Sequence, residues 1–404
     1  MPDYHAPDAD AFDTKVGWTM VAVAFVSSFT VYGIAYSFGP FFKPMAMEFG
    51  AGRSATSAVF SITAFLYFML GPLSGHLSDR FGPRVVVAAG ALAMGTGLVL
   101  TSLIDRLWLG YLTYGAGVGI GVACGYLPMI AVVGGWFARR RTTALGIAVA
   151  GIGCGTLCVA PAAAALIGKF GWRRTDVILG LTSAAILFGC AAFAKRPPLH
   201  VVPSEFRLRD AIRTPAFGLL YTSSLLCSSA LYLPFVFLPD FARRHGASEV
   251  GAAALVGLIG AASVVGRMGL GAVAERAGVV RLYQASFLAM ALSFGVWMAA
   301  RSYPPLVVFA LAMGAAYGGY VALSPAVIAH LYGTGRLGVV LGVLYTSCGL
   351  GALAGPPLAG LIIDRTGSYR WAIGFAFAVV FASFVVLLPL GRYEPRPVRA
   401  PGSD

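Results

Sequence analysis

Charged residues are scarce in this chain. Only 11% of its 404 residues are Asp, Glu, Lys or Arg, while 58% are hydrophobic. Because soluble globular domains carry roughly a quarter charged residues, this composition excludes an ordinary soluble fold and is typical of a membrane protein. The sequence also lacks His-Glu-x-x-His and Gly-x-Ser-x-Gly, so two common hydrolase signatures are missing.

Cysteine is equally sparse. The six cysteines form no Cys-x-x-Cys pair and have no histidine at metal-ligand spacing. All of them fall inside the apolar segments described below, where a thiol acts as a small packing group. We therefore expect no disulfide, no metal and no cofactor.

Long uncharged runs make up most of the chain. A bilayer core about 30 Å thick needs about 20 apolar residues in a helix. Cutting the sequence at every charged residue leaves eleven such runs: Val16–Phe42, Ser54–Ser78, Val85–Ile104, Leu107–Ala138, Thr142–Gly168, Val177–Ala194, Thr214–Pro239, Leu282–Ala300, Ser302–Gly335, Leu337–Ile363 and Trp371–Gly391. A twelfth run, Val250–Ala274, carries one charge, Arg267. Runs this continuous exclude the alternating strands of an outer-membrane barrel and predict twelve transmembrane helices.

The basic residues are distributed unevenly between the two sides of the predicted membrane. The net charge is +13, and with the N-terminus inside, the cytoplasmic segments hold more than half of the 29 Lys and Arg. This bias follows the positive-inside rule, so we predict that both termini are cytoplasmic and that the charge does not indicate nucleic acid binding. The first run follows Lys15 and is too long for a signal-peptide core, so no cleavable signal is expected.

A recurring loop reveals internal repeats. After span 2 the sequence reads Gly75-His-Leu-Ser-Asp79-Arg80-Phe-Gly82-Pro-Arg84, and after span 8 it reads Gly271-Ala-Val-Ala-Glu275-Arg276-Ala-Gly278. Related copies follow spans 5 and 11, with their loop glycines at Gly171 and Gly367. A turn that recurs every three helices must alternate between membrane faces, which indicates inverted three-helix repeats within each half. We expect the glycine to allow a tight turn, and the acidic residue to cap a helix or pair with the neighbouring arginine.

The segment Lys195–Pro215 is the longest polar stretch between spans. It predicts a six-helix bundle at residues 1–194, a cytoplasmic linker at 195–215 and a second six-helix bundle at 216–404. The predicted fold is an all-α membrane protein of two six-helix bundles. Glycine rows in spans 4 and 5, among them Gly151 and Gly155, predict close helix packing.

These motifs resemble those of a known family. The Gly-x-Leu-x-Asp-Arg-x-Gly loop after span 2 is similar to the signature of the major facilitator superfamily. The run Trp136-Phe137-Ala-Arg139-Arg140-Arg141, followed by small residues through Gly155, resembles the loop and fifth helix of the monocarboxylate transporters and their oxalate/formate antiporter relatives. Gly17-Trp18, Phe41-Phe42-Lys43 and the segment from Gly355 to Tyr369 also resemble this group.

The resemblance implies a non-enzymatic transporter that works by alternating access, with helices 1, 4, 7 and 10 lining a central cavity. Its cargo would be a small monocarboxylate such as L-lactate or pyruvate, often moved together with a proton. It further implies a monomer in a bacterial inner membrane, with the lipid bilayer as its surroundings.

Arg267 is the one charged residue well inside a predicted span. An arginine near the bilayer centre costs about 2.5–3.5 kcal/mol on insertion scales, which favours a functional role over a snorkelling side chain. The equivalent positions in the other repeats are Gly71, Ala160 and Pro356, so the scaffold does not require an arginine there. The planar guanidinium suits a carboxylate, and the resemblance assigns a span 8 arginine to substrate binding.

Tyrosines are the expected companions of Arg267, although each one taken alone also fits a packing role. Tyr32 and Tyr36 share one face of span 1, Tyr126 lies in span 4, and Tyr317 and Tyr320 lie three residues apart in span 10. The resemblance favours Tyr126 and Tyr317, and Cys348 in span 11 is a further predicted lining residue.

Three positions depart from the family pattern. Animal monocarboxylate transporters carry a lysine where this chain has Tyr36 and an aspartate where it has Ser263, while the second cation of oxalate/formate antiporters is missing from span 11. A single buried arginine favours one carboxylate. The predicted proton-coupling residues are Asp240 and His330, both of which also fit loop or cap roles; alternatively, the substrate carries its own proton.

Other functional classes fit less well. A receptor would need a signalling domain, and a channel would usually show a filter loop. The main alternative within transporters is an antiporter or exporter of another small molecule, such as an oxalate/formate-like or aromatic acid.

Overall fold

The computed structural model describes residues 14–137, 139–197, 211–332 and 337–393. These residues form an all-helical protein in which twelve helices are long and apolar enough to cross a membrane. We number them α1 to α12: Lys15–Glu48, Arg53–Phe81, Pro83–Thr101, Leu107–Trp136, Arg141–Phe170, Trp172–Phe193, Pro215–Arg244, Glu249–Ala277, Val279–Ala299, Tyr303–Tyr332, Leu337–Thr366 and Tyr369–Leu387. The twelve predicted spans are therefore confirmed.

Two of these spans are broken. Helix α1 consists of Lys15–Tyr36 and Phe38–Glu48, and α7 consists of Pro215–Leu231 and Leu233–Arg244. Each break lies just before a proline, Pro40 or Pro234. A proline lacks the amide hydrogen and crowds the carbonyl four residues earlier, so it interrupts the helical hydrogen bonds at these points. Helix α4 contains a π-helical segment, Tyr111–Ala116.

The four loop glycines adopt the same unusual backbone. Gly82, Gly171, Gly278 and Gly367 have φ values of +91°, +79°, +87° and +67°. Residues other than glycine rarely adopt such φ angles, so the expected role of glycine in a tight turn is confirmed. Gly82 and Gly278 lie on the face that carries both ends of the described chain, which we call the terminal face. Gly171 and Gly367 lie on the opposite, distal face, as the inverted repeats require.

Glycines also permit close helix approach, as predicted. A Cβ on Gly155 of α5 would lie 2.1 Å from the Phe29 carbonyl oxygen of α1, and one on Gly151 would lie 2.3 Å from the Phe25 oxygen. The two halves meet along α5 with α8 and along α2 with α11. Where α5 crosses α8, a Cβ on Gly153 would lie 2.4 Å from the Gly260 oxygen, so the interface between the halves is backbone against backbone.

The start of α6 differs from the prediction. The run predicted from Val177 begins instead at Trp172, because the helix continues through its first charged turns. Asp176 consequently lies inside a membrane-spanning helix and is fully buried. Asp176 is thus a second ionisable residue within a span, one turn from the helix start and outside the run predicted from Val177.

The loop acids behave differently from the expected pairing with their own arginines. Asp79 is exposed and makes no hydrogen bond or ion pair with the described residues. Arg80 lies over the ring of its neighbour Phe81, and Arg84 donates from Nε to the Ala194 carbonyl at 2.7 Å. The Gly75 position leaves open space for a Cβ. The side chains of Glu275 and Arg276 lie outside the described part of the chain.

Candidate substrate site between the two halves

Arg267 lies where the two halves meet. It is part of α8, and its Nη1 donates a hydrogen bond of 3.0 Å to the carbonyl oxygen of Val149 in α5. The side chain is partly buried. Its guanidinium carbon is 5.9 Å from the centre of the Tyr317 ring, within reach of a cation–π interaction. One bond thus holds the arginine against the first half, and one ring supports it from the second.

The other edge of the Arg267 guanidinium is free. Nε and Nη2 are buried and have no hydrogen-bond partner among the described residues. These two nitrogens form the edge that presents parallel N–H groups, the arrangement that a carboxylate accepts in a bidentate pair. A buried charged donor left without a partner is costly, so this edge is suited to receive an anion.

Tyrosines from both halves surround this position. Tyr36 of α1 and Tyr317 of α10 have their hydroxyl oxygens 3.3 Å apart, which joins the two halves by a hydrogen bond. The Tyr32 ring lies 5.3 Å from that of Tyr36 and 5.0 Å from that of Tyr126. Arg267 is near enough to Tyr32 and Tyr126 to act on both electrostatically. Five of the predicted site residues therefore come together.

Tyr320 and Cys348 lie elsewhere. They contact each other, with Tyr320 Oη 3.1 Å from Cys348 Sγ. The Tyr320 ring packs against Tyr283 and Phe287 of α9, at centroid distances of 5.9 and 5.3 Å. Although it is only three residues from Tyr317, Tyr320 faces the interior of the second half.

Further aromatic residues belong to the cluster but were not singled out from the sequence. The Phe235 ring lies 4.4 Å from that of Tyr36, and Tyr232 lies 6.5 Å from the same ring. Tyr67 packs 5.7 Å from Tyr32, and Phe68 links α2 to Tyr345 at 6.0 Å. The sequence shows that a tyrosine lies in an apolar span but not which way its side chain points. The helix break beside Tyr232 was the one signal that could have indicated this cluster.

Asp240 forms the centre of a network at the distal face. Tyr369 donates a short hydrogen bond to this buried carboxylate. Arg244 approaches it to 3.5 Å and Arg243 to 3.9 Å, while Arg53 of the first half lies 4.0 Å away. The network therefore ties α2 of one half to α7 and α12 of the other.

Asp364 adds a second tie between the halves at the distal face. Its carboxylate lies 3.6 Å from Arg53 Nη1 and accepts a hydrogen bond of 3.1 Å from the Ser54 backbone amide. It therefore caps the first turn of α2, where the backbone amides have no helical partner. Because these ties bridge the halves, the distal end is closed. His330, the other predicted proton-coupling residue, is exposed near the terminal end of α10.

A surface cavity on the distal face of the second half lies away from Arg267. It has a volume of about 550 Å³. Its lining includes Arg244, His245, Arg301 and Arg370. We place the candidate substrate site at Arg267 on its chemistry and on its position between the halves, which the surface cavity does not share.

Comparison with known proteins agrees with this architecture. The family model of the Major Facilitator Superfamily matches residues 24–283 and 220–403. Monocarboxylate transporter 3 of Rattus norvegicus is 32% identical over 378 residues, which covers 88% of this chain and 75% of the relative. Monocarboxylate transporter 13 of Rattus norvegicus is 30% identical over 385 residues, covering 93% of this chain and 89% of the relative.

A solved structure shares the fold. A bacterial homologue of the human lysosomal transporter Spinster, in an inward-facing and occupied conformation, superposes with a TM-score of 0.75 at 16% identity, covering 94% of this chain and 98% of that one. The chain therefore belongs to the Major Facilitator Superfamily and is a multi-pass membrane transporter, not an enzyme, with monocarboxylate transporters among its relatives.

Proposed function

We propose that this protein transports small monocarboxylates such as L-lactate or pyruvate by proton-coupled symport. The free, buried Nε and Nη2 edge of Arg267 is the observation that carries the proposal. It offers one bidentate site for one carboxylate, at the interface that must rearrange during alternating access.

The surrounding tyrosines support a small, weakly polar substrate. Tyr32, Tyr36, Tyr126 and Tyr317 combine apolar ring area with single hydroxyl groups, which fits the carbon skeleton and the hydroxyl or keto oxygen of such acids. No second arginine or lysine of the described residues contacts this cluster, so a dicarboxylate would bring an unpaired charge into it. The names of the relatives agree with a monocarboxylate.

Proton coupling is the finer part of the proposal. Asp240 joins the halves through Arg53, so loss of its charge would weaken the distal closure. His330 is exposed on the terminal face, where a proton would be exchanged with solvent. With the terminal face taken as cytoplasmic, as the positive-inside bias predicts, the described conformation is closed to the outside. We further propose that the protein acts as a monomer in a bacterial inner membrane.

Uptake into proteoliposomes tests the proposal. Labelled L-lactate, pyruvate, acetate and benzoate are offered with and without an inward proton gradient, to the wild type and to Arg267→Ala. We expect one acid to accumulate with the gradient. The variant should lose at least tenfold in kcat/KM, because a charged hydrogen bond contributes about 1.5–3 kcal/mol.

A matched control separates site loss from misfolding. Arg301→Ala removes an exposed arginine on the distal face and should leave uptake unchanged. Uptake that survives Arg267→Ala would refute the assigned anchor. Uptake that ignores the gradient would refute symport and favour the second reading, an organic-anion antiporter or exporter.

A further inference from the structure

Asp176 is a buried acid without a partner. It lies one turn into α6, its relative exposure is 0%, and neither carboxylate oxygen has a hydrogen-bond partner among the described residues. An ionised carboxylate in such a place would cost several kcal/mol, so burial of this kind favours the protonated acid. Asp240, in contrast, is surrounded by three arginines.

Within the described ranges of the chain, Asp176 has few ionisable neighbours. Arg173 on its own helix and Tyr114 of α4 are the ionisable groups that act on it. Glu48 of α1 pairs with Arg173, whose Nη2 lies 2.8 Å from Glu48 Oε1. The loop that follows α3 contributes backbone carbonyls to this region. Arg173 donates to those of Ser102 and Ile104, at 2.6 and 2.7 Å.

Arg173 is therefore committed away from Asp176. It lies three residues before the acid, a spacing at which an aspartate and an arginine on one helix can pair. In the described conformation its donors bind Glu48 and two carbonyls instead. If Glu48 moved away, Arg173 would become free to pair with Asp176 and to stabilise its ionised form.

Glu48 belongs to the part of α1 that closes the distal end. The outer segment Phe38–Glu48 follows the break at Ser37, and at its start Gly39 packs against the Phe235 backbone of α7, where a Cβ would lie 2.7 Å from the carbonyl oxygen. Its other end is held to α6, since Trp172 Nε1 donates to Glu48 at 2.5 Å. A separate helical segment with a break at its base is a natural element to move when the distal end opens.

Tyr114 is a neighbour of the same acid and donates a hydrogen bond near the break in α1. It lies in the π-helical segment of α4, and its hydroxyl donates to the Ile34 carbonyl of α1 at 3.4 Å. Ile34 lies between Tyr32 and Tyr36, which border the candidate substrate site. π-Helical segments often occur at functional positions. Asp176 thus lies near the part of α1 that connects the outer segment Phe38–Glu48 with the tyrosines of the candidate substrate site.

From this geometry we propose that Asp176 is a proton-binding site whose occupancy is coupled to closure of the distal end. When the distal end opens, the α1 outer segment releases Arg173, and the Asp176 carboxylic acid gives its proton to water and pairs with the freed Arg173 as a carboxylate. A proton from distal-side water then forms an O–H bond on a carboxylate oxygen, Arg173 returns to Glu48, and the end closes. A role of Asp176 in coupling proton and substrate transport rests on the proposed proton symport. The existence of the proton-binding site does not depend on it.

The test needs no substrate, so its failure is distinct from failure of the proposed function. Spin labels replace Lys169 and Arg301, exposed on the distal face of the first and second halves, in a chain whose native cysteines are replaced by serine. Electron-electron resonance measures their distance between about pH 5 and pH 8. Because the closed form holds the extra proton, the open fraction should rise with pH, by up to tenfold per unit.

Three variants sharpen the result. Asp176→Asn cannot ionise, so its open fraction should not rise with pH. Glu48→Gln frees Arg173 and should shift the transition to lower pH. Asp105→Asn, an exposed acid of the same half, should behave as the wild type. A wild-type distance independent of pH, a wild-type response in Asp176→Asn, or an unshifted transition in Glu48→Gln would each overturn the proposal.

Discussion

Tyr36 and Tyr317 join the two halves of the protein through hydroxyl oxygens 3.3 Å apart. Both residues are buried, and the Tyr317 ring also lies beside the Arg267 guanidinium. A substrate carboxylate on the free edge of Arg267 would therefore arrive next to a hydrogen bond that spans the interface. At this candidate site, substrate binding and the contact between the halves would share the same small group of atoms.

The first prediction concerns the Tyr317 hydroxyl. Tyr317→Phe keeps the ring beneath Arg267 but removes the bond to Tyr36. Such a bond is worth about 1 kcal/mol, so KM for the transported acid should rise roughly fivefold. Initial uptake rates over a range of substrate concentrations provide the measurement.

Tyr320→Phe is the matched control for that substitution. Tyr320 is equally buried in the same helix, but its hydroxyl meets Cys348 in the interior of the second half. We expect its KM to remain at the wild-type value. Equal effects of the two substitutions would mean that the Tyr317 hydroxyl contributes only to general packing.

The second prediction separates charge from shape at position 267. Arg267→Lys keeps a positive charge but loses the planar pair of donors and the bond to the Val149 carbonyl. A lysine binds a carboxylate as a point charge, so we expect kcat/KM to fall about tenfold, less than in Arg267→Ala. A lysine variant as active as the wild type would contradict a bidentate site.

Most of the fold follows from composition, whereas the directions in which side chains point inside the membrane do not. A helix in lipid must satisfy its own backbone, which leaves runs of apolar residues that are easy to recognise. Charges mark the ends of such runs poorly: Asp176 was placed outside α6 because the helix was assumed to begin after its last charge.

The candidate site was predictable in part for the same reason. Arg267 is conspicuous as a charge inside a span, but its partner is the backbone of Val149, which no side-chain pattern reveals. Tyr317 and Tyr320 differ by three residues, and only the packing of α9 and α10 determines which of them faces the interface. The loop glycines were clear because one backbone angle explains all four.

The third prediction concerns the distal tie made by Asp364. Asp364→Asn removes the charge that faces Arg53 and weakens the cap on Ser54. A partly exposed pair contributes about 0.2–1 kcal/mol, so the ratio of open to closed molecules should rise by a factor of about 1.4 to 5. The spin-label distance between positions 169 and 301 reports the change.

Asp79→Asn is the control for this prediction. Asp79 holds the corresponding place in the first repeat, but it lies on the terminal face, is exposed and has no partner in the described regions. The distal distance should not change in this variant. A similar opening in both variants would show that the charge acts at long range and not through the contact with Arg53.

The fourth prediction tests the close approach of α1 and α5. A methyl group added at Gly155 would lie 2.1 Å from the backbone oxygen of Phe29, an atom that cannot move without shifting α1. Overpacking of this kind typically costs about 1–3 kcal/mol, so Gly155→Ala should lower the apparent melting temperature in detergent by several degrees.

Gly189→Ala is the matched comparison, because the same methyl group there meets no atom within 4 Å. In an open helical position, alanine is favoured over glycine by about 0.5–1 kcal/mol, so this variant should melt at or slightly above the wild-type temperature. If the two variants melted alike, the spacing of α1 and α5 would have to be adjustable. The backbone contact would then not fix how these helices move together, and α5 could shift against α8 at Gly153 without carrying α1 with it.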